Sequence, residues 1–255
     1  MIFSKVFIKR EKICYYSLVM IQRDPIAGKK KFSFKICQLI TKILYPRPKF
    51  FYINADGFIN QPFVFIVNHS GSRVPTRIEN FFPVPMYMWG TYEMCLGLKA
   101  VRKYLIHTYY HQKKHVPLFF ARIIGTLFAP FANGFYNGTR LIPTYTDGRL
   151  IQTFKETDRL VAEGNSLVVY PEDSSEGYKD QIEYLFNGFL MFCQMQARKG
   201  KDMPIYVAYF QRKKKRFVID RPRFYSELIK EYGDHNTISK ELRLRMNSLM
   251  NYKEK

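Results

Sequence analysis

Phe63-Val64-Phe65-Ile66-Val67-Asn68-His69-Ser70-Gly71-Ser72 decides the fold. Its first five residues are continuously apolar and rich in β-branched and aromatic side chains, as in a strand buried on both faces of a mainly parallel sheet. The run then opens into small polar residues led by a histidine. A second run, Ser166-Leu167-Val168-Val169-Tyr170, opens in the same way into Pro171-Glu172-Asp173-Ser174-Ser175, led by a carboxylate. Parallel sheets bind ligands beyond the carboxyl ends of their strands, where both loops fall. A base and a carboxyl presented together there are the parts of an acid–base site.

The elements around these runs alternate. Leu141 to Tyr145 reads as a strand and Arg149 to Glu163 as a helix stopped by Gly164. Lys179 to Arg198 reads as a second helix, and Ile205 to Phe210 as a further strand. Lys213-Lys214-Lys215-Arg216 reads as a solvated turn from which Phe217-Val218-Ile219 returns. Strand–helix alternation implies right-handed crossovers and an α/β fold, a mainly parallel twisted sheet flanked by helices. We divide the chain into a basic amphipathic segment (1–60), an α/β domain (61–225) and a charged helical tail (226–255).

Within the first segment, Phe32 to Tyr45 carries Ile36, Leu39, Ile40 and Ile43 at helical spacing, with Lys29, Lys30, Lys31, Lys35 and Lys42 around them. Pro46 and Pro48 end it. Such a helix either lies in a bilayer interface or packs on the core with its lysines in water. No clean signal-peptide pattern opens the chain, because lysines interrupt Met1 to Met20. Ile123 to Tyr136 comes nearest to a membrane-spanning run, but is short of the ~20 apolar residues a span needs and contains Pro130.

The 255 residues suffice for a sizeable core. A hydrophobic content of 47% rules out a disordered chain. The net charge of +20 calls for a polyanionic neighbour, either nucleic acid or anionic lipid. Cys14, Cys37, Cys95 and Cys193 lie far apart among apolar neighbours and read as free thiols in a reducing compartment. His107, His111 and His115 share a helical spacing, but Lys113 and Lys114 interrupt them, so we read a basic rim rather than a metal site. Asp173 with Glu176 has the form of a capping box for the helix that follows, and the same loop can line a polar pocket. The two readings are compatible.

Asn68-His69 after one strand, Tyr170-Pro171-Glu172 after another, Gly138-Thr139-Arg140-Leu141-Ile142-Pro143 between them and Met203-Pro204-Ile205-Tyr206-Val207 beyond resemble the ordered blocks of the glycerolipid/lysophospholipid (1-acylglycerol-3-phosphate) acyltransferase family. The resemblance covers roughly Phe63 to Phe210. It implies transfer of a fatty acyl group from acyl-CoA or acyl carrier protein, as co-substrate without a further cofactor, to a hydroxyl or amine of a lipid-like acceptor. It makes His69 the general base, an effect typically worth ~10²–10⁴-fold. It also places Asn68, Ser70, Glu172, Ser174 and Ser175 around the substrates, on the cytoplasmic face of an anionic membrane.

The chain departs from the family's pattern in three ways, which mark a variant branch. Val74 stands where the family has an Asp that orients the histidine, leaving Glu79 and Asp173 as candidate replacements among the catalytic residues. Asp173-Ser174-Ser175-Glu176 replaces a Gly-Thr-Arg, so the phosphate-binding arginine is absent and two carboxylates that would repel a phosphate take its place. The arginine of the second block is out of register, with Arg140 and Arg149 the nearest candidates for the substrate. A neutral or cationic acceptor fits this pattern better than lysophosphatidic acid. The alternative is a catalytically degenerate protein that binds lipid or, without any recognisable motif for it, nucleic acid.

Overall fold

Strands form where the apolar runs are short and bounded by Gly, Pro or Asn, and helices form where apolar residues recur every three or four positions. The computed structural model describes residues 32–53, 57–69 and 71–253. Lys29 to Lys31, Cys14 and Ser70 lie outside the described residues. In chain order the elements begin with α1 (Phe32–Leu44), β1 (Lys49–Ile53), β2 (Val64–Val67), α2 (Arg73–Phe81) and β3 (Met86–Thr91). A connection follows with α3 (Leu98–Tyr104), a π-helical stretch (Leu105–Gln112) and α4 (Leu118–Tyr136). Next come β4 (Leu141–Thr144), α5 (Leu150–Ala162), β5 (Ser166–Val169), α6 (Gly188–Arg198) and β6 (Pro204–Gln211). The chain closes with β7 (Arg216–Asp220), β8 (Arg223–Phe224), α7 (Tyr225–Tyr232) and α8 (His235–Met250).

The strands build one mixed, mainly parallel sheet in the order β1-β7-β6-β2-β5-β3-β4, with β8 paired to β6. β2 lies between β5 and β6 and pairs with both in parallel. Antiparallel pairing is confined to β6 with β7 and β6 with β8. Alternate residues of β2 feed opposite cores. Val64 and Ile66 join side chains of α5, α6, α7 and α8, whereas Phe65 and Val67 join Val74 and Ile78 of α2. The α/β fold expected from the sequence is the one observed.

Two expected elements differ. Residues 179–187 are not helical. Their backbone turns back on the Glu172 loop, with Phe186 N–H donating to Pro171 O (2.7 Å) and Leu185 bridging to Glu172, so only Gly188 onward is free to wind as α6. No helix therefore follows the Asp173–Glu176 pair directly, and the capping-box reading fails. Nor is the C-terminal stretch a surface tail. Ile238, Leu242, Met246 and Leu249 of α8 are buried in the main core, and Gln211 donates to the carbonyls of Leu249 and Met250.

α1 and α4 are turned the other way. α1 buries Phe34, Cys37 and Thr41, while Ile36, Leu39, Ile40 and Ile43, the apolar face read from the sequence, are exposed. α4 points Ala121, Gly125 and Ala129 inward, where the small residues let it approach Ile106 closely. Its large side chains face out, with Phe119 at 67% and Leu127 at 73% exposure. Starting at Leu118 and accommodating Pro130, α4 reaches 19 residues and is apolar enough for a span by length and composition, longer than the sequence reading allowed. The two helices meet through Phe34 and Phe135, with ring centroids 5.6 Å apart. Gly138 makes this possible, since a Cβ there would lie 2.1 Å from Phe34 Cγ. Gly138→Ala is expected to destabilise the protein by ~1–3 kcal/mol in urea unfolding. An unchanged midpoint would show that α1 is not docked there.

Candidate functional site

β2 ends against a polar anchor. The Asn68 carboxamide oxygen accepts from the Phe210 backbone N–H at 2.7 Å, which ties the loop to β6. Asn68 thus anchors the loop to the sheet through its carboxamide oxygen. Gly71, at φ 59°, turns the chain into α2 with a left-handed conformation that other residues adopt at a cost. His69 lies between two rings. Tyr170 meets it edge-on at 4.8 Å and Tyr178 stacks on it at 4.9 Å and 13°. Its Nδ1 is shut off from solvent without a hydrogen-bond partner. Burial, aided by the charges of Lys113 and Lys114, pushes the imidazole down to about 3. His69 is therefore an uncharged base at neutral pH.

Glu172 is its counterpart. The loop that begins at Pro171 after β5 buries this residue, and the His69 backbone N–H donates to its carboxyl. One carboxyl oxygen, Oε1, is enclosed without a partner. Burial drives the carboxyl up to about 8 against the opposing pull of the His69 N–H and Lys113. Glu172 thus carries its proton at neutral pH. An unprotonated imidazole and a protonated carboxyl, both uncharged, are the least costly state for two such groups out of water.

The connection between β3 and α4 roofs this pair. Lys113 Nζ donates to Ser174 Oγ at 2.8 Å, and the ammonium groups of Lys113 and Lys114 lie 5.6 and 5.0 Å from the Tyr178 ring centroid. His115 Nε2 is 3.2 Å from the Glu176 carbonyl oxygen, and His111 Nδ1 is 2.9 Å from that of Val116. The i→i+5 winding of Leu105–Gln112 and a positive φ at His115 take the three histidines off a common helix face. Among the described residues no cluster of His, Cys, Asp or Glu is set to hold a metal. His111, His115, Val116 and Pro117 instead face Ser175 and Glu176 across an open cleft of about 750 Å³.

The other candidates are placed elsewhere. Val74, where a carboxylate would orient the imidazole, is wholly buried at 0% exposure. Neither proposed replacement bonds to His69 Nδ1. Asp173 is exposed and accepts from the Ser175 N–H at 2.9 Å, which holds its carboxyl below the usual range. Glu79, its side chain 1% exposed, sits 4.0 Å from Arg140 at the amino ends of β3 and β4, opposite the His69 end of the sheet. Arg149 lies beyond the carboxyl end of β4 but pairs with Asp147 at 2.7 Å and stacks on Tyr145 and Tyr92. Tyr178 and Lys113 are the residues that sequence reasoning missed. Tyr178 could have been found as the first aromatic after Glu172, whereas nothing in the sequence ties Lys113 to Ser174.

The two shifts have opposite signs in stability. A carboxyl raised on folding loses stability as pH climbs from its ordinary value to about 8, and an imidazole lowered on folding loses it as pH falls from about 6.5 to about 3. Glu172→Gln removes the first effect. Its melting temperature relative to the parent should rise steadily from pH 5 to pH 8. A flat difference would mean that Glu172 is ionised in the folded protein.

No family model and no curated protein sequence matches the chain. Among solved structures it is similar to the 1-acyl-sn-glycerophosphate (LPA) acyltransferase PlsC from Thermotoga maritima, at 12% identity, over 94% of this chain and 90% of that one, with a TM-score of 0.47.

Proposed function

We propose that the protein transfers an acyl group from an acyl thioester, acyl-CoA or acyl carrier protein, to a hydroxyl or amine of a lipid-like acceptor at a membrane surface. The observation that carries this reading is the uncharged, buried His69 at the carboxyl end of β2, held against Glu172. In this scheme His69 takes the proton of the acceptor as its oxygen or nitrogen attacks the thioester carbonyl. The C–S bond then breaks, and the thiolate leaves with that proton. Protonated Glu172 donates a hydrogen bond to the acceptor or to the oxygen on which charge develops. His69→Ala should reduce acyl transfer at least a hundredfold and leave thermal unfolding intact. Undiminished turnover in that variant would exclude this role.

The unpartnered Nδ1 and the buried Val74 favour a second reading, a protein that binds the lipid without turning it over. An imidazolium formed here has no carboxylate to stabilise it. The parent protein discriminates between the readings: lipid binding without any acyl transfer, from either donor class, selects the second.

The membrane part rests on the outward faces of α1 and α4. Burying a Leu, Ile or Phe side chain is worth ~1.5–3 kcal/mol, and these helices leave several uncovered. Exposed Lys35, Lys42, Arg102, Lys103 and Arg122 on the same pair of helices and on α3 suit anionic headgroups. The cleft is lined by Pro117, the residue before α4, and by Ser175 and Glu176 of the Glu172 loop. Phe119→Glu with Leu127→Glu should lower co-sedimentation with phosphatidylglycerol vesicles at least tenfold without unfolding the chain. Equal sedimentation of parent and variant would remove this surface from the account.

A further inference from the structure

We propose that Tyr178 is the positioning residue of His69, fixing the plane of the imidazole by ring stacking in place of the carboxylate that Val74 cannot supply. The inference deepens the proposed reaction and rests on it for the chemical step. A general base acts only when its nitrogen is held toward the proton it takes. An imidazole turns about its Cβ–Cγ bond unless a neighbour restrains it. Val74 is buried hydrocarbon, and no side chain bonds to Nδ1. What the imidazole does touch is two other rings. Tyr178 lies almost parallel to it, at 13° and a centroid separation of 4.9 Å. Tyr170 meets it at 71° and 4.8 Å. Rings set in two different planes restrain a third against rotation. Nδ1 is the enclosed nitrogen, so an imidazole held in this plane presents Nε2 to a substrate.

The two tyrosines are not equivalent. Tyr170 is packed against the α2 side of the core, and its hydroxyl donates to Met88 Sδ at 3.5 Å. Tyr178 joins none of the buried apolar clusters among the described residues. It is nevertheless held from several directions. Gly177, at φ 110°, turns the chain into it, and a Cβ on Gly177 would stand 3.0 Å from the Lys113 carbonyl oxygen. The loop is thus pressed against the β3–α4 connection. Lys113 donates to Ser174, and His115 reaches the Glu176 carbonyl oxygen. The ammonium groups of Lys113 and Lys114 lie over the Tyr178 ring, a favourable cation–π arrangement. Tyr178 Cε2 is also 3.7 Å from where a Cβ on Gly71 would stand, so the ring rests on the loop that carries His69. A side chain that adds nothing to the core is fixed from two loops onto one face of the imidazole.

The test compares the full-length parent with Tyr178→Phe, Tyr178→Leu and Gly177→Ala, each checked for folding by circular dichroism. A face-stacked ring shifts the carbon-bound protons of the His69 imidazole upfield, which proton NMR reads without any turnover. Tyr178→Phe should keep this shift and Tyr178→Leu should lose it. Gly177→Ala, which drives the loop off Lys113, should lose it with Tyr178 still present. In acyl transfer, Tyr178→Phe should stay within about twofold of the parent kcat, while Tyr178→Leu and Gly177→Ala lose about tenfold or more, with KM changed less than about threefold. Unmoved His69 protons in Tyr178→Leu, a lost shift with an undiminished kcat, or a Tyr178→Phe as slow as Tyr178→Leu overturns the proposal. A parent without acyl transfer overturns the reaction instead, and the proton shifts still decide whether Tyr178 holds the imidazole.

Discussion

The burial of β2 between two parallel neighbours governs the arrangement of the site. Every residue of Val64 to Val67 is enclosed, and the strand is bonded to β5 on one side and β6 on the other. A strand so fixed delivers its next residues to one place. Because β5 runs parallel beside it, the loop after β5 opens at the same end. His69 and Glu172 are brought together by this register and locked by two bonds. Asn68 holds Phe210, and the His69 N–H holds the Glu172 carboxyl.

Desolvation follows from that geometry and sets the chemistry. Tyr170 and Tyr178 exclude water from the imidazole, and the 171–187 loop encloses the carboxyl. Each group then favours its uncharged form, so the base is free and the acid is loaded at the same pH. Val74 offers no carboxylate to raise the imidazole, and the core around it is apolar. The chain thus couples a weak, dry base to a protonated carboxyl, and in the proposed reaction the charge that develops is met by the substrate or by the lysines of the roof.

Much of this was legible in the sequence because it depends on local pattern. Continuous apolar runs gave β2, β5 and β6, and the polar loops after them gave His69 and Glu172. What was not legible depends on long-range contact. Residues 179–187 have a helix-compatible composition, but Phe186 N–H donates to Pro171 O, Tyr184 O accepts from the Asp173 N–H and Ile182 N–H donates to Asn247. The apolar stripe of α1 is correctly periodic, yet it faces away from the core because Phe34 on the opposite side fits over Gly138. Arg140 and Glu79 suit the site by residue type, but Arg140 precedes β4 and Glu79 lies near the end of α2, so both sit at the end of the sheet away from His69. The reach of Lys113 and Lys114 across to the Ser174–Tyr178 loop comes from a connection whose path no sequence pattern encodes.

The central claim is that His69 is an uncharged base in a dry site beside a protonated Glu172. A nitrogen-15 NMR titration of the histidine side chains, with His69 assigned through His69→Gln, measures this directly. The account predicts that the His69 imidazole stays neutral from pH 8 down to at least pH 5. A His69 signal that titrates within that range, or that is already protonated at pH 7, would contradict it.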